Sequence, residues 1–214
     1  MSIAIDGPSG AGKSTIAKAL AAKLKIPYVD TGAMYRALAY AFIQMGNPKD
    51  HAKALKEMDL VISPEGIYYE QKSLDHELRT AEVSKRASEL SKDPLIRDYL
   101  LDYQRKLAQD QDVVMEGRDI GTVVLKDAKV KFFLTASDSI RAQRRYEQNL
   151  EKNIQIPLEQ VKEDLQARDY RDYHRAVAPL KQAEDAILID NTHLNLEETV
   201  DKMAAIVEAK NGVL

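Results

Sequence analysis

A glycine-rich run that ends in lysine and serine is the strongest constraint on the fold of this chain. Residues 7–14 read Gly-Pro-Ser-Gly-Ala-Gly-Lys-Ser and fill every fixed position of the pattern G-x-x-x-x-G-K-[ST]. In this pattern the glycines let backbone N–H groups curl around phosphate, Lys13 supplies a cation, and the hydroxyl of Ser14 ligates Mg²⁺. An apolar strand pattern precedes the run and a helical pattern follows it, as the motif requires. The sequence therefore predicts a loop that binds the phosphates of a nucleoside triphosphate.

Short apolar runs alternate with longer helical patterns along the rest of the chain. Strands are predicted at Ile3 to Ile5, Tyr28 to Val29, Val113 to Met115, Val130 to Leu134 and Ala186 to Ile189. Helices are predicted at Lys13 to Leu24, near Ala81 to Leu90, from Pro94 to about Gln109, from Ser137 to about Lys152 and at Leu196 to Val207. Short apolar strands between helices are typical of parallel sheets that are buried on both faces. We therefore predict an α/β fold.

Two segments interrupt this alternation. Leu60 to Glu70 has the pattern of a small hairpin with Ser63-Pro64-Glu65-Gly66 as its turn, which indicates an insertion rather than a sixth core strand. Arg141 to Arg175 is helical in pattern and rich in arginine. The simplest architecture is one α/β domain with a mobile insertion and a mobile helical flap.

Composition excludes several classes of protein. Of the 214 residues 44% are hydrophobic and 30% charged, which is typical of an ordinary globular protein. The net charge of −3 argues against a dedicated binder of nucleic acid or of an anionic membrane. The absence of cysteine excludes disulfides, zinc thiolates and thiol nucleophiles. With no apolar run long enough for a signal peptide or a membrane span, we expect a cytoplasmic protein.

The phosphate-binding motif does not identify the reaction, but three further sequence blocks restrict the class of enzyme. There is no Asn-Lys-x-Asp guanine motif, and a motor ATPase is usually larger, so a small kinase remains. The blocks are Asp30-Thr31-Gly32-Ala33-Met34-Tyr35-Arg36, Glu116-Gly117-Arg118-Asp119-Ile120-Gly121-Thr122, and the segment from Arg168 to Leu180. Together with the loop they resemble the bacterial cytidylate kinases, P-loop kinases that phosphorylate CMP and dCMP. The resemblance runs from Ile3 to about Thr192.

This resemblance implies an architecture and a reaction. The expected fold is a five-stranded parallel sheet flanked by helices in a single domain over residues 1–214, with an acceptor-binding insertion at about residues 60–90 and a helical lid at about residues 145–175. The expected reaction transfers the γ-phosphoryl group of ATP, with Mg²⁺, to CMP or dCMP in pyrimidine nucleotide metabolism. The expected protein is a monomer whose partners are nucleotides rather than nucleic acid or membranes.

The resemblance also implies roles for individual residues. The catalytic residues would be Lys13, Arg118 and Arg175. ATP would be bound by Gly7, Pro8, Ser9, Gly10, Ala11, Gly12, Lys13, Ser14, Thr15, Arg144 and Arg145. The phosphate of CMP would be bound by Arg36, Arg118 and Arg175, its base by Thr31, Arg97 and Asp119, and its ribose by Ser88, Arg168 and Asp172. Guanidinium groups suit phosphate because they donate two parallel hydrogen bonds, and a carboxylate suits the amino group of cytosine.

Several alternatives stay open at this level. Glu116 stands where the family usually has aspartate, so its expected contact with Mg²⁺ through water is in doubt, and Tyr173-His174 also departs from the family. Asp119 can instead pair with Arg118, and Asp172 with Arg175. Thr31 can be a simple helix cap. The acceptor can be UMP or another metabolite, and the arginine-rich helices can belong to an ATP-switched module that binds RNA.

Overall fold

The chain divides into two compact units. The computed structural model describes residues 1–63, 66–109 and 111–211. The first unit comprises Met1–Tyr28 and Asp110–Leu214, and the second comprises Val29–Gln109. The bounds expected above for a single domain, an insertion and a lid stay predictions.

Eight strands and eight α-helices make up the described structure. The strands are β1 (Ser2–Asp6), β2 (Tyr28–Asp30), β3 (Leu60–Ser63), β4 (Gly66–Tyr69), β5 (Lys72–Ser73), β6 (Val113–Gly117), β7 (Val130–Thr135) and β8 (Ile187–Asp190). The helices are α1 (Lys13–Leu24), α2 (Thr31–Gln44), α3 (His51–Glu57), α4 (Ala81–Leu90), α5 (Pro94–Gln109), α6 (Asp138–Glu151), α7 (Leu158–His174) and α8 (Leu196–Asn211). A 3₁₀ turn (Glu77–Arg79) and one turn of π-helix (Ile120–Val124) complete the elements. No helix among these is both long enough and apolar enough to cross a bilayer.

The chain forms a five-stranded sheet, as predicted. Its strand order is β2-β6-β1-β7-β8. β1 lies in the middle and pairs in parallel with β6 on one side and β7 on the other, and β7 pairs in parallel with β8. The core between this sheet and helices α1 and α8 contains Ile3, Ile5, Leu20, Phe132 and Met203. Ile3, Ala4 and Ile5 of β1 are completely buried although successive side chains point to opposite faces of the sheet, which explains the continuous apolar pattern of this strand.

The second unit combines helices with a small antiparallel sheet of order β3-β4-β5. The hairpin predicted at Leu60 to Glu70 is confirmed for the described residues, and it is separate from the five-stranded sheet. The central residues of its predicted turn, Pro64 and Glu65, lie outside the described residues. Helices α2, α4 and α5 bury a cluster that includes Phe42 and Leu100.

The structure extends several predicted elements at their ends, such as β6 to Gly117 and α8 to Asn211, and it differs from the prediction in three other ways. The last core strand covers Ile187–Asp190 rather than Ala186 to Ile189. The arginine-rich segment is two helices, α6 and α7, because the chain leaves the helix at Lys152 and Pro157 starts the next one. Helices α2 and α3 carried no prediction, although Asp30 and Asp50 accept hydrogen bonds from the first turns of these helices as N-caps.

We expect Phe132→Ala to lower the free energy of unfolding by about 3–5 kcal/mol, because the ring is 1% exposed in the core against α1 and α8. Denaturant titration followed by circular dichroism measures this difference. Leu188→Ala on the edge strand is the control: that side chain is 53% exposed, so its loss should cost less than about 1 kcal/mol. Equal losses in the two variants would contradict this placement of the core.

Candidate functional site

The loop between β1 and α1 has the geometry of an anion site. Its glycines Gly7, Gly10 and Gly12 have φ values of +150°, +77° and +88°. A Cβ at Gly7 would lie 2.0 Å from the carbonyl oxygen of Leu134 on β7, so only glycine fits between the loop and that strand. α1 begins at Lys13, directly after Gly12, and the first N–H groups of a helix have no partner within it. These N–H groups and the positive end of the helix suit phosphate.

Lys13 is buried and held in the loop. Its Nζ donates to the carbonyl oxygen of Pro8 at 2.7 Å, and the side chain is 6% exposed. Burial, together with the positive charges of Arg118 and Arg168, lowers the pKa of Lys13 to about 7, while Glu116 acts in the opposite direction. A phosphate group that binds beside Lys13 would raise its pKa again, because a nearby negative charge favours the ammonium form.

Ser14 and Glu116 place two oxygen donors side by side. The hydroxyl of Ser14 donates to Oε1 of Glu116 at 2.5 Å, and the hydroxyl of Tyr28 donates to the same oxygen at 3.2 Å. Glu116 is buried at the end of β6, so these bonds hold its carboxylate toward the phosphate loop. Mg²⁺ prefers oxygen ligands and is usually bound by one or two carboxylates together with substrate phosphates. The pair therefore fits Mg²⁺ despite the longer side chain of Glu116.

The phosphate loop is clamped by the helices that follow β7. The backbone N–H of Ser9 donates to Oδ1 of Asp169 at 3.0 Å, and its carbonyl accepts from Nη1 of Arg141 at 2.8 Å. Arg141 also donates to Asp169 directly, and both side chains are buried. The N–H and the C=O of one loop residue are thus both bound by an ion pair that joins α6 to α7. The sequence placed Arg141 on the flap and did not assign this role.

A second brace involves Arg144 and Asn191. Arg144 donates to the side-chain and the backbone oxygen of Asn191, each at 3.0 Å, and the amide of Asn191 donates to the carbonyl oxygen of Ala11 at 3.0 Å. No sequence motif marks Asn191, because it follows β8, far along the chain from the phosphate loop. Arg145, the other arginine assigned to ATP, is exposed on α6.

Two buried ion pairs connect the end of β6 with α7 in the first unit. Nε of Arg118 donates to Asp172 at 2.8 Å, and Nη2 of Arg175 donates to Asp119 at 3.2 Å. These pairs differ from both alternatives that the sequence left open, Asp119 with Arg118 and Asp172 with Arg175. Burial alone would raise the pKa of Asp172, but Arg118 holds it below its usual value. Four of the predicted acceptor residues therefore meet in one charged cluster.

Arg168, a fifth predicted acceptor residue of this unit, lies on α7 and is half-buried. Its positive charge acts on both Lys13 and Asp172. The charged cluster therefore extends toward the phosphate loop.

The second unit contains the remaining predicted acceptor residues. Asp30 is the N-cap of α2 and also pairs with Arg36 at 2.9 Å, so Thr31 is the first helical residue rather than the cap. Arg97 is buried, donates to the carbonyl oxygen of Ser91 at 3.2 Å and lies 5.9 Å from the ring centre of Tyr35.

Ser88, the last of these residues, lies half-buried on α4, and its carbonyl accepts from the hydroxyl of Ser91 at 3.0 Å. The roles assigned to all four residues of this unit stay predictions.

Comparison with known proteins supports the resemblance over nearly the whole chain. The sequence model of the cytidylate kinase family matches residues 3–209. The chain is 44% identical to the cytidylate kinase of Thermosipho melanesiensis, covering 97% of each chain, and 46% identical to that of Anoxybacillus flavithermus, covering 98% of this chain and 97% of the relative. Among solved structures, an uncharacterized protein from Eubacterium ventriosum is similar in fold alone, with a TM-score of 0.58 at 15% identity over 98% of this chain and 99% of that one.

We expect Asp169→Asn to lower the free energy of unfolding by about 1.5–3 kcal/mol, because it removes the buried carboxylate that pairs with Arg141 and leaves that guanidinium only its ion pair with the exposed Asp138. Chemical denaturation measures the change. Asp164→Asn, on the exposed side of the same helix, removes the same charge and should stay within about 0.5 kcal/mol. Equal effects at both positions would show that the clamp at Ser9 adds nothing to stability.

Proposed function

The chain belongs to the cytidylate kinase family, and we propose that it transfers the γ-phosphoryl group of ATP to CMP or dCMP, giving ADP and CDP or dCDP. The observation that carries this proposal is the convergence of cations from two sources in the first unit. Arg118 and Arg168 lie close enough to Lys13 to lower its pKa, so the lysine of the phosphate loop and the arginines assigned to the acceptor share one site. A phosphoryl donor and an anionic acceptor both need such charge.

Phosphoryl transfer to a nucleoside monophosphate requires positioning of the substrates and stabilisation of negative charge rather than a general base. A nucleoside monophosphate has its second pKa at about 6 and is mostly a dianion at neutral pH, so its attacking oxygen carries no proton to remove. The barrier lies in bringing this dianion to an anionic donor, which buried cations lower. Lys13 would bind the β- and γ-phosphates, and the loop amides would hold the donor in line. Ser14 and Glu116 would hold Mg²⁺, which supplies further positive charge on the phosphate oxygens when bound.

Partner exchange is the step that we propose for acceptor binding. In the structure Arg118 and Arg175 are neutralised by Asp172 and Asp119. A phosphate dianion can replace a carboxylate on a guanidinium with bidentate geometry. The released carboxylates would then accept hydrogen bonds from the nucleoside, Asp172 from the ribose hydroxyls and Asp119 from the amino group of cytosine. Arg36, paired with Asp30, would exchange its partner in the same way.

We further propose that the protein acts in the cytoplasm as a monomer and that residues at about 145–175 close over the donor. The net charge of −3 and the burial of Arg141 support nucleotides rather than RNA as its partners. Closure would exclude water, which otherwise competes with the acceptor for the phosphoryl group.

The proposed function is tested by ADP release from ATP across a panel of nucleoside monophosphates. CMP and dCMP should support rapid release and AMP, GMP and UMP much less. Release that is independent of the acceptor, or a preference for UMP, would contradict the proposal. Salt-sensitive RNA binding without acceptor-dependent release would instead favour a binding module.

Proton uptake on ATP binding should report the ionisation of Lys13. At about pH 8, one unit above the pKa of Lys13, the free lysine is mostly neutral, and the phosphates of ATP should raise its pKa and recharge it. Calorimetry in buffers of different ionisation enthalpy should therefore show the uptake of close to one proton. Lys13→Met should remove this uptake, and Lys18→Met, on the exposed side of α1, should keep it. Binding by the unaltered protein without proton uptake would contradict the perturbed lysine.

Base selection should depend on Asp119. Asp119→Asn replaces a pure acceptor with a group that can also donate to O4 of uracil. Loss of the charge-assisted bond should weaken the binding of CMP by roughly 1.5–3 kcal/mol, about ten- to a hundred-fold in affinity. The binding of UMP should weaken much less. The ratio of kcat/KM for CMP over UMP should therefore fall, with KM for ATP almost unchanged.

Asp172→Asn is the matched control for this ratio. It also removes a carboxylate that pairs with an arginine of the cluster, but it faces the ribose in our proposal, so CMP and UMP should lose activity in equal proportion. If Asp119→Asn likewise lowers both acceptors equally, Asp119 serves Arg175 and does not recognise the base.

A further inference from the structure

Asp6 is a buried carboxylate that the phosphate motif does not explain. It is the last residue of β1, directly before Gly7, and is 3% exposed. Its Oδ1 accepts from the N–H of Ile120 at 2.8 Å, and its Oδ2 accepts from the N–H of Gly121 at 2.7 Å. One carboxylate therefore binds two successive backbone amides that are more than a hundred residues away in the chain.

These two amides begin the π-helical turn Ile120–Val124, which follows Arg118 and Asp119 directly. The first N–H groups of a helical turn have no partner within it and need an acceptor. Because Asp6 supplies both acceptors, its side chain determines where the turn starts. A π-helical turn is uncommon and often marks a functional site.

The backbone of Asp6 is held independently of its side chain. In the sheet register Asp6 aligns with Gly117 of β6 and with Phe133 of β7, so β1 is paired on both sides at this position. Loss of the side-chain bonds would therefore release the turn rather than the strand or the loop that follows it.

Asp6 lies near charged residues assigned to each of the two substrates. The pKa of Asp6 is raised to about 6: burial and the negative charge of Asp119 raise it, and the hydrogen bonds from the two amides and the positive charge of Lys13 lower it. The carboxylate thus lies within electrostatic reach of the lysine assigned to the donor and of the carboxylate assigned to the acceptor base.

We propose that Asp6 is a positioning residue that fixes the turn after Arg118 and Asp119, and so sets the position of the acceptor relative to the phosphate loop. The proposal rests on the proposed function for its consequence in catalysis, but the restraint on the turn exists without any substrate. Asp6 touches neither nucleotide in this view and acts only through the backbone of the turn.

Asp6→Asn is the primary test, because asparagine keeps one acceptor oxygen and turns an NH₂ group toward the other backbone donor. In the free protein, amide exchange measured by NMR at Ile120 and Gly121 should accelerate on the order of ten-fold. In steady-state assays KM for CMP should rise on the order of ten-fold, whereas KM for ATP should change less than about two-fold.

Asp190→Asn is the matched control, because Asp190 also ends a strand of the same sheet but is exposed and accepts only from Thr192 among its described hydrogen bonds. Both exchange and KM values should stay as in the unaltered protein. Gly121→Ala is the second variant: its Cβ would lie 3.4 Å from Oδ2 of Asp6 and 3.2 Å from the flexible side chain of Lys131, so it disturbs the same contact without removing a charge.

The possible outcomes test the positioning role of Asp6 separately from the proposed phosphorylation of CMP. Faster exchange at the two amides with a selective rise in KM for CMP supports the proposal. Unchanged exchange, or KM values for CMP and ATP that rise together, overturns it. If Asp6→Asn fails to fold, Gly121→Ala decides by the same two measurements. If the unaltered protein does not phosphorylate CMP, the proposed function fails, and exchange in the free protein still tests the restraint on the turn.

Discussion

Charge is buried at the carboxyl ends of β1 and β6, and the rest of the site depends on how that charge is satisfied. Asp6, Lys13, Glu116 and Asp119 are all buried there. A buried charge without a partner costs several kcal/mol, so each group must be bound by an amide, a hydroxyl or an opposite charge. The carboxyl ends of parallel strands are also where open α/β sheets bind ligands. The same edge therefore needs internal partners, and in our proposal it exchanges some of them when the acceptor binds.

This requirement gives the arginine-rich segment two roles. Arg141 and Arg144 are turned toward the phosphate loop, where they bind Ser9 directly and Ala11 through Asn191. Further along, Asp172 and Arg175 pair with the residues that end β6. A segment that the sequence shows as a run of charges is thus largely a set of internal contacts. Burial and ion pairing account for several of the arginines in this segment.

Local signals predicted the elements whose ends are determined by their own residues. α1 follows the glycine loop, α4 begins after Thr80, whose hydroxyl accepts from Val83, and α5 follows Asp93, whose carboxylate accepts from Leu95. Each of these helices has the predicted bounds. Helix α2 escaped prediction because its face is rich in buried alanine, which gives little contrast between apolar and polar positions. The break between α6 and α7 begins around Asn153, whose φ is +57°, and ends at Pro157, the N-cap of α7.

The sequence by itself determined the phosphate loop and the family, because these rest on fixed spacings within short blocks, and it predicted the acceptor residues. Only the tertiary structure decided which charges pair. Arg118 binds Asp172 and Arg175 binds Asp119, because α7 and the residue that follows it bring these partners from another part of the chain. The contacts of Asp6 with Gly121 and of Ser9 with Asp169 join residues more than a hundred positions apart. No pattern along the chain encodes such a distance, because it arises only when β1, β6 and α7 pack together.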